Sequence, residues 1–258
     1  MFKENDHMRP GPTPERVLAI CRLIEKGSYT AAELSQLCEL DKDANVNEES
    51  IRNSIAAAEE LNLIKKAGDR YTLSVNSECL TSARNFRKTV SPLIFSNKNT
   101  TFFKLTEWFI SNADQALILN KFDDLAAVAA KTGVDIVTDN DVLGWRFWMR
   151  YLGHAYQYNR TLIPNMKIRL EDAMSSLEKG SRMTCTQFVG WIKENIPEAA
   201  SSCSNASLPL ALSNGLRTLQ SEGKIELIST RDAIRTSLYV LRGIETNDFS
   251  DIVIKEIV

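Results

Sequence analysis

Residues 14–30 read PERVLAICRLIEKGSYT, and residues 167–183 read KIRLEDAMSSLEKGSRM. Set against each other at an offset of 153, they align Arg16 with Arg169, and Glu25-Lys26-Gly27-Ser28 with Glu178-Lys179-Gly180-Ser181. The apolar positions coincide too: Val17, Ile20, Cys21 and Ile24 fall on Leu170, Ala173, Met174 and Leu177. Their spacing is that of one buried helix face, and each glycine is placed to stop its helix. In the first copy Thr13-Pro14-Glu15 adds an N-cap, a proline at the first helical position and an acid near the positive helix end.

The repetition extends beyond these two stretches. A second helix is expected from Ala31 to about Glu39, with Leu34, Leu37 and Cys38 inward, and its counterpart from Thr186 to Asn195. After a polar turn at Asp41–Asn47, a third helix runs from about Glu48 to Asn62. Its inward residues Ile51, Ile55 and Ala58, and Ile64 beyond it, fall at an offset of 161 on Leu212, Leu216, Leu219 and Ile225. The eight added residues accumulate around the Ser/Ala-rich segment 197–208. Ile64-Lys65-Lys66, a turn at Gly68-Asp69 and Tyr71–Val75 make a hairpin. The second copy closes with a longer wing, Ser229–Ser237, and a returning strand at Tyr239–Leu241.

These boundaries divide the chain into a loose arm (1–12), a first module (13–78), a helical middle (79–162) and a second module (163–258). The middle is expected to hold helices at Thr101–Asn112, Asp114–Lys131 and Asp141–Tyr158. The last carries Trp145, Phe147, Trp148, Tyr151, Tyr156 and Tyr158, apolar nearly all round, as a central core helix would be. The fold class is mainly α with small β-hairpins.

Three helices followed by a hairpin, twice over, resembles the winged helix-turn-helix family across 65–75 residues per copy. That resemblance implies two such modules flanking an all-helical middle, with each third helix entering the major groove of DNA. Outward positions on the second copy's third helix are Ser213, Asn214, Arg217, Gln220 and Lys224, donors suited to base edges or phosphate. The wing adds Arg231 and Arg235. In the first copy the corresponding set is Arg52 and Asn53 with Lys65, Lys66 and Arg70 at the hairpin, diluted by Glu48, Glu49 and Glu60. Arg84, Arg87, Lys88, Arg146, Arg150, Arg160 and Lys167 give the middle a modest positive balance.

Charge speaks against a strong phosphate track. The net charge is -2. Residues 1–80 hold 10 Lys/Arg against 14 Asp/Glu, residues 81–180 hold 13 against 10, and residues 181–258 hold 8 against 9. Phosphate neutralisation dominates affinity for duplex DNA, and no segment here is strongly basic.

Catalytic signatures are missing from the sequence: no Gly-rich phosphate loop, no GxSxG and no HExxH. Five cysteines without a CxxC pair, and only two histidines, make a zinc site improbable on chemical grounds. No cofactor, metal or catalytic residue is expected. The odd cysteine count, the polar N-terminus and the lack of a long apolar run point to a cytoplasmic protein without membrane contact.

Two functions fit these features. One is a non-enzymatic DNA-binding protein that reads double-stranded DNA with its second module, either as a transcription regulator or as a subunit resembling the accessory subunits of bacterial defence and DNA-processing systems. The other is a scaffold that binds a protein partner or a second copy. It resembles the acidic tandem winged-helix subunits of chromosome-condensing complexes, from which the middle segment departs. A third possibility places a small-molecule effector around Trp145–Tyr158.

Overall fold

The computed structural model describes residues 1–4, 6–38, 48–119, 121–134 and 137–256. The expected turn at Asp41–Asn47 lies outside them. The first copy runs α1 (Pro14–Lys26), β1 (Tyr29–Thr30), α2 (Ala31–Cys38), α3 (Glu48–Glu60), β2 (Ile64–Ala67) and β3 (Arg70–Leu73). Helices α4 (Ala83–Phe95), α5 (Thr101–Ser111), α6 (Ala113–Ile118), α7 (Leu125–Lys131) and α8 (Asp139–Tyr151) come next, then the hairpin β4 (Ala155–Tyr158) and β5 (Thr161–Pro164). The second copy is α9 (Lys167–Met174), β6 (Arg182–Thr184), α10 (Cys185–Asn195), α11 (Leu210–Ser221), β7 (Ile225–Ile228), β8 (Thr236–Ser237), β9 (Asp248–Phe249) and β10 (Asp251–Ile254). The protein is mainly helical with small antiparallel sheets.

The two copies share a sheet order. In the first, β3 lies between β1 and β2, and in the second, β10 lies between β6 and β7, antiparallel throughout. Local chemistry sets the helix starts. The Thr13 hydroxyl accepts from the Arg16 N–H at the head of α1. Thr184 and Gln187 exchange side-chain and backbone bonds at the head of α10, satisfying two otherwise orphaned donors.

The chain forms two compact units: Met1–Phe103 with Ala126–Tyr151, and Lys104–Leu125 with Leu152–Val258. Segment 79–162 is therefore shared between the units and does not close on itself. In the first unit the expected loose arm is anchored. Met1, Phe2, Met8 and Pro12 are buried. The Phe2 ring meets Trp148 edge-on at 5.0 Å, and Trp148 Nε1 donates to the Pro12 carbonyl at 2.7 Å. Asp141, itself buried, accepts from the Met8 N–H at 2.6 Å and from both the N–H and hydroxyl of Thr138. Burial pushes the Asp141 carboxyl up, but the Thr138 and Met8 bonds outweigh it and hold the group below its ordinary value. Composition suggested a mobile arm; four apolar side chains with somewhere to go fix it.

In the second unit Phe188, Ile192, Leu212, Leu216, Leu219, Ile225, Phe249 and Ile252 form one core. Three expectations need correcting. The Asp141–Tyr158 helix ends at Tyr151, because Gly153 takes a left-handed φ of +82° and the chain turns into β4; the middle is not all-helical. Asp114–Lys131 is broken into α6, a 3-10 turn at Phe122–Asp124 and α7. Leu37 is exposed, not inward.

The wing also differs. Its returning strand is β10, so the loop between β7 and β10 spans residues 229–250 and carries its own small ladder, β8 with β9. Ile252 and Ile254 are the apolar alternation that fills the core, while Tyr239–Leu241 belongs to a loop.

Cys21, Cys79, Cys185 and Cys203 are buried, Cys38 is half-buried, and all are free. Burial pushes the Cys21 and Cys203 thiols up to about 12. At pH 8 only about one in ten thousand of these thiols would be ionised, so they should be inert as nucleophiles. Iodoacetamide should leave Cys21 and Cys203 intact in the folded protein and alkylate all five cysteines in denaturant. Labelling of either in the native state, read by peptide mass, would contradict the burial.

Candidate interface on the third helices

Helix α11 carries the residues expected to read DNA, and its polar stripe is already occupied. Ser213, Arg217 and Gln220 sit at i, i+4 and i+7, on one side of the helix. Ser213 is 0% exposed. Its Oγ accepts from the Tyr239 N–H at 2.8 Å and donates to the Leu208 carbonyl at 3.3 Å. Arg217 donates from Nη2 to the Tyr239 carbonyl (2.8 Å), and from Nε and Nη2 to the Thr246 carbonyl (3.1 and 2.9 Å). Gln220 Nε2 donates to the Thr246 hydroxyl at 3.4 Å, while its Oε1 accepts from the Leu227 N–H at 2.9 Å.

A loop from the wing, residues 238–247, is thus strapped over α11. Its backbone polar groups need partners when they leave water, and the stripe supplies them. Burial pulls the Arg217 guanidinium below its ordinary value.

The remaining expected contacts of this copy are engaged in other ways. Asn214 Nδ2 donates to the Pro164 carbonyl at 3.0 Å. Lys224 and Lys167 alternate with Glu171 and Glu222 in a closed ring, at 2.5 and 3.1 Å for Lys224 and 2.9 and 3.1 Å for Lys167. Burial pulls the Lys167 ammonium down, but Glu171 and Glu222 raise it above the ordinary lysine range. A balanced ring of this kind offers little field to phosphate. Arg235 faces Asp248 at 3.4 Å. Arg231 is exposed and makes no ion pair among the described residues.

In the first copy the arm lies on α3. Glu60 accepts from the Met1 amino group at 2.8 Å and from the Phe2 N–H at 3.0 Å, and Asn53 accepts from Arg9 at 3.0 Å. Arg70 donates to the Ser28 carbonyl and pairs with Glu33. Arg52, Lys65 and Lys66 are exposed, with the Lys66 ammonium 5.8 Å from the centre of the Tyr71 ring. Arg70 and Arg235 are exposed as well, each beside a carboxylate. In both copies a segment of the same unit lies against the third helix, at Asn53 and Glu60 of α3 and at Ser213, Arg217 and Gln220 of α11, while Glu49, Arg52 and Ala56 of α3 stay exposed.

Among the described residues the most deeply buried acid is Glu198, which no motif in the sequence marks. Glu198 Oε1 accepts from His154 Nε2 at 2.9 Å and from Arg169 Nε at 2.7 Å, and all three side chains are buried. Arg169 Nη2 also reaches the Asn195 carbonyl at 3.2 Å. Burial pushes the Glu198 carboxyl up, yet Arg169 and His154 hold it at about 2. The triad joins the head of β4, α9 and a 3-10 turn at Pro197–Ser202. With no open side toward solvent, it works as a lock between elements. Nothing in the local sequence marks it: Arg169 aligns with Arg16, which is exposed, and Glu198 falls in the added segment. Among the described residues no group of three or more His, Cys, Asp or Glu side chains is arranged to hold a metal ion. No helix among them is long and apolar enough to cross a membrane.

Fold and site together define a protein of two helix–hairpin repeats whose third helices are capped from within. It belongs to the DpdG-like family, whose model matches residues 8–233. No curated protein and no solved structure matches the chain.

Proposed function

We propose that the chain is a non-enzymatic, protein-binding subunit of a bacterial DNA-modification and defence system, built on two winged helix-turn-helix modules. Membership of the DpdG-like family supports the system and a protein partner within it. The order helix–strand–helix–helix–strand–strand, with the last strand central in each sheet, supports the winged-helix reading. One observation favours a scaffold over a reader: Ser213, Arg217 and Gln220 bond to the wing, whose loop lies over that stripe of α11 and stands between it and base edges. The buried charged groups support a structural role in the same way, since Asp141 and Glu198 tie backbone elements together.

A second reading rests on Arg52, Lys65 and Lys66, which remain exposed on α3 and β2. Within an assembly they could touch the phosphates of double-stranded DNA held mainly by a partner.

Duplex retardation tests both. The protein alone should bind a duplex of about 30 base pairs weakly or not at all near 50 mM salt, where phosphate contacts are strong. Any residual binding should vanish in Lys65→Glu/Lys66→Glu. Tight binding that falls steeply with salt and survives that change would overturn the scaffold reading.

A further inference from the structure

The wing holds apolar side chains in water on a backbone that is tied down. Within 238–247, Val240 is 72% exposed and Ile244 is 42% exposed, while Tyr239 and Thr246 on either side are bound to Ser213, Arg217 and Gln220. Leu238 N–H donates to the Asn247 carbonyl at 2.8 Å, closing the base of the loop. Gly243 takes a left-handed φ of +80° at the turn. Tyr239 is fixed further by its hydroxyl, which donates to Asp114 at 3.4 Å. The part-buried Arg217 guanidinium holds the loop that carries Val240 and Ile244. Rigid presentation of an apolar tip lowers the entropy cost of binding.

We infer that residues 238–247 form a pre-set docking finger whose Val240 and Ile244 enter an apolar pocket on a protein partner. Arg242 and Glu245 flank the tip, exposed and without an ion pair among the described residues. The pocket rim would therefore offer a carboxylate to Arg242 and a cation to Glu245. The inference rests on the scaffold reading above and names the surface that serves it.

Two other occupants fit less well. The loop between β7 and β10 carries Arg231, Arg235 and Arg242 against Asp232, Glu245 and Asp248, so it has no net charge to attract phosphate. A second copy that met finger against finger across a two-fold axis would set two convex tips together, which cannot interlock.

The proteins encoded beside this chain are the probe, co-expressed with it and separated by size-exclusion chromatography with light scattering. The wild-type chain should co-elute with one of them. Val240→Asp/Ile244→Asp should weaken that complex about a hundredfold or more, and Val240→Asp alone, at a position 72% exposed, should weaken it about tenfold with an unchanged melting temperature. Ile234→Asp, at an equally exposed position elsewhere in the wing, should leave the complex intact. Arg217→Lys should weaken it about tenfold by untying the loop. A complex that withstands Val240→Asp/Ile244→Asp, or is lost equally with Ile234→Asp, overturns the finger and leaves the scaffold standing. Elution of the chain alone in every pairing, or as a homodimer, overturns both.

Discussion

Glu198→Ala is expected to cost about 3–5 kcal/mol of stability, because it strips the counter-charge from a buried Arg169 beside His154. For a chain of this size that is a fall of roughly 10 °C or more in melting temperature. The size of the effect comes from what is lost: a guanidinium taken out of water no longer faces the carboxylate that its Nε bonds. Glu198→Gln should recover part of the loss by keeping shape and an acceptor while giving up charge. The pH dependence has a definite sign. A carboxyl held at about 2 in the folded state and near 4.5 when unfolded stabilises fully above the higher value. Its contribution drains away as pH falls toward the lower one. The gap between wild type and Glu198→Ala should therefore be widest near neutrality and close between about pH 4.5 and pH 2. Thermal melts monitored by circular dichroism would read it. A gap of the same size at pH 2.5 would mean that packing, and not charge, carries the effect.

Gly144→Ala is the second change expected to act strongly. A Cβ built at Gly144 in α8 would lie 2.1 Å from the Met8 carbonyl oxygen and 2.5 Å from that of Arg9. Both are backbone atoms with no rotamer to yield, so the arm must lift. Lifting it breaks the Met8 bond to Asp141 and draws Phe2 away from Trp148. Overpacking of this kind costs about 1–3 kcal/mol, and the lost anchors bring the total toward the upper end. Hydrogen exchange should show the Met8 amide protected in wild type and fast in Gly144→Ala, with the amides of α11 unchanged. Protection that persists in the variant would show that the arm is held without the close approach.

Much of this architecture could be read from the residues. The offset of 153 predicted a second copy of the first helix, and α9 begins at Lys167 where Pro14 begins α1. Periodicity found the third helices because Ile51, Ile55, Leu212 and Leu216 are core residues at helical spacing. It failed at Tyr151–Tyr158, where aromatic residues suit a helix and a half-buried ribbon equally well, and only Gly153 marked the break. It failed again at the wing, since Tyr239–Leu241 and Ile252–Ile254 are both short apolar runs and the length of a loop leaves no trace in periodicity.

The candidate interface was the least legible part. Ser213, Arg217 and Gln220 share one stripe of α11, yet Ser213 is fully buried, because a polar side chain can serve another segment's backbone as readily as a base edge. Sequence carries donor identity; it does not carry who accepts.

The caps on α3 and α11 come from different places. One precedes its module's first helix, and the other is inserted between the last two strands of its sheet. The arm could lift from α3 and leave every strand of the first module's sheet in place. The loop over α11 is tied at both ends to paired strands, β7 and β10, and cannot leave the helix without pulling on them.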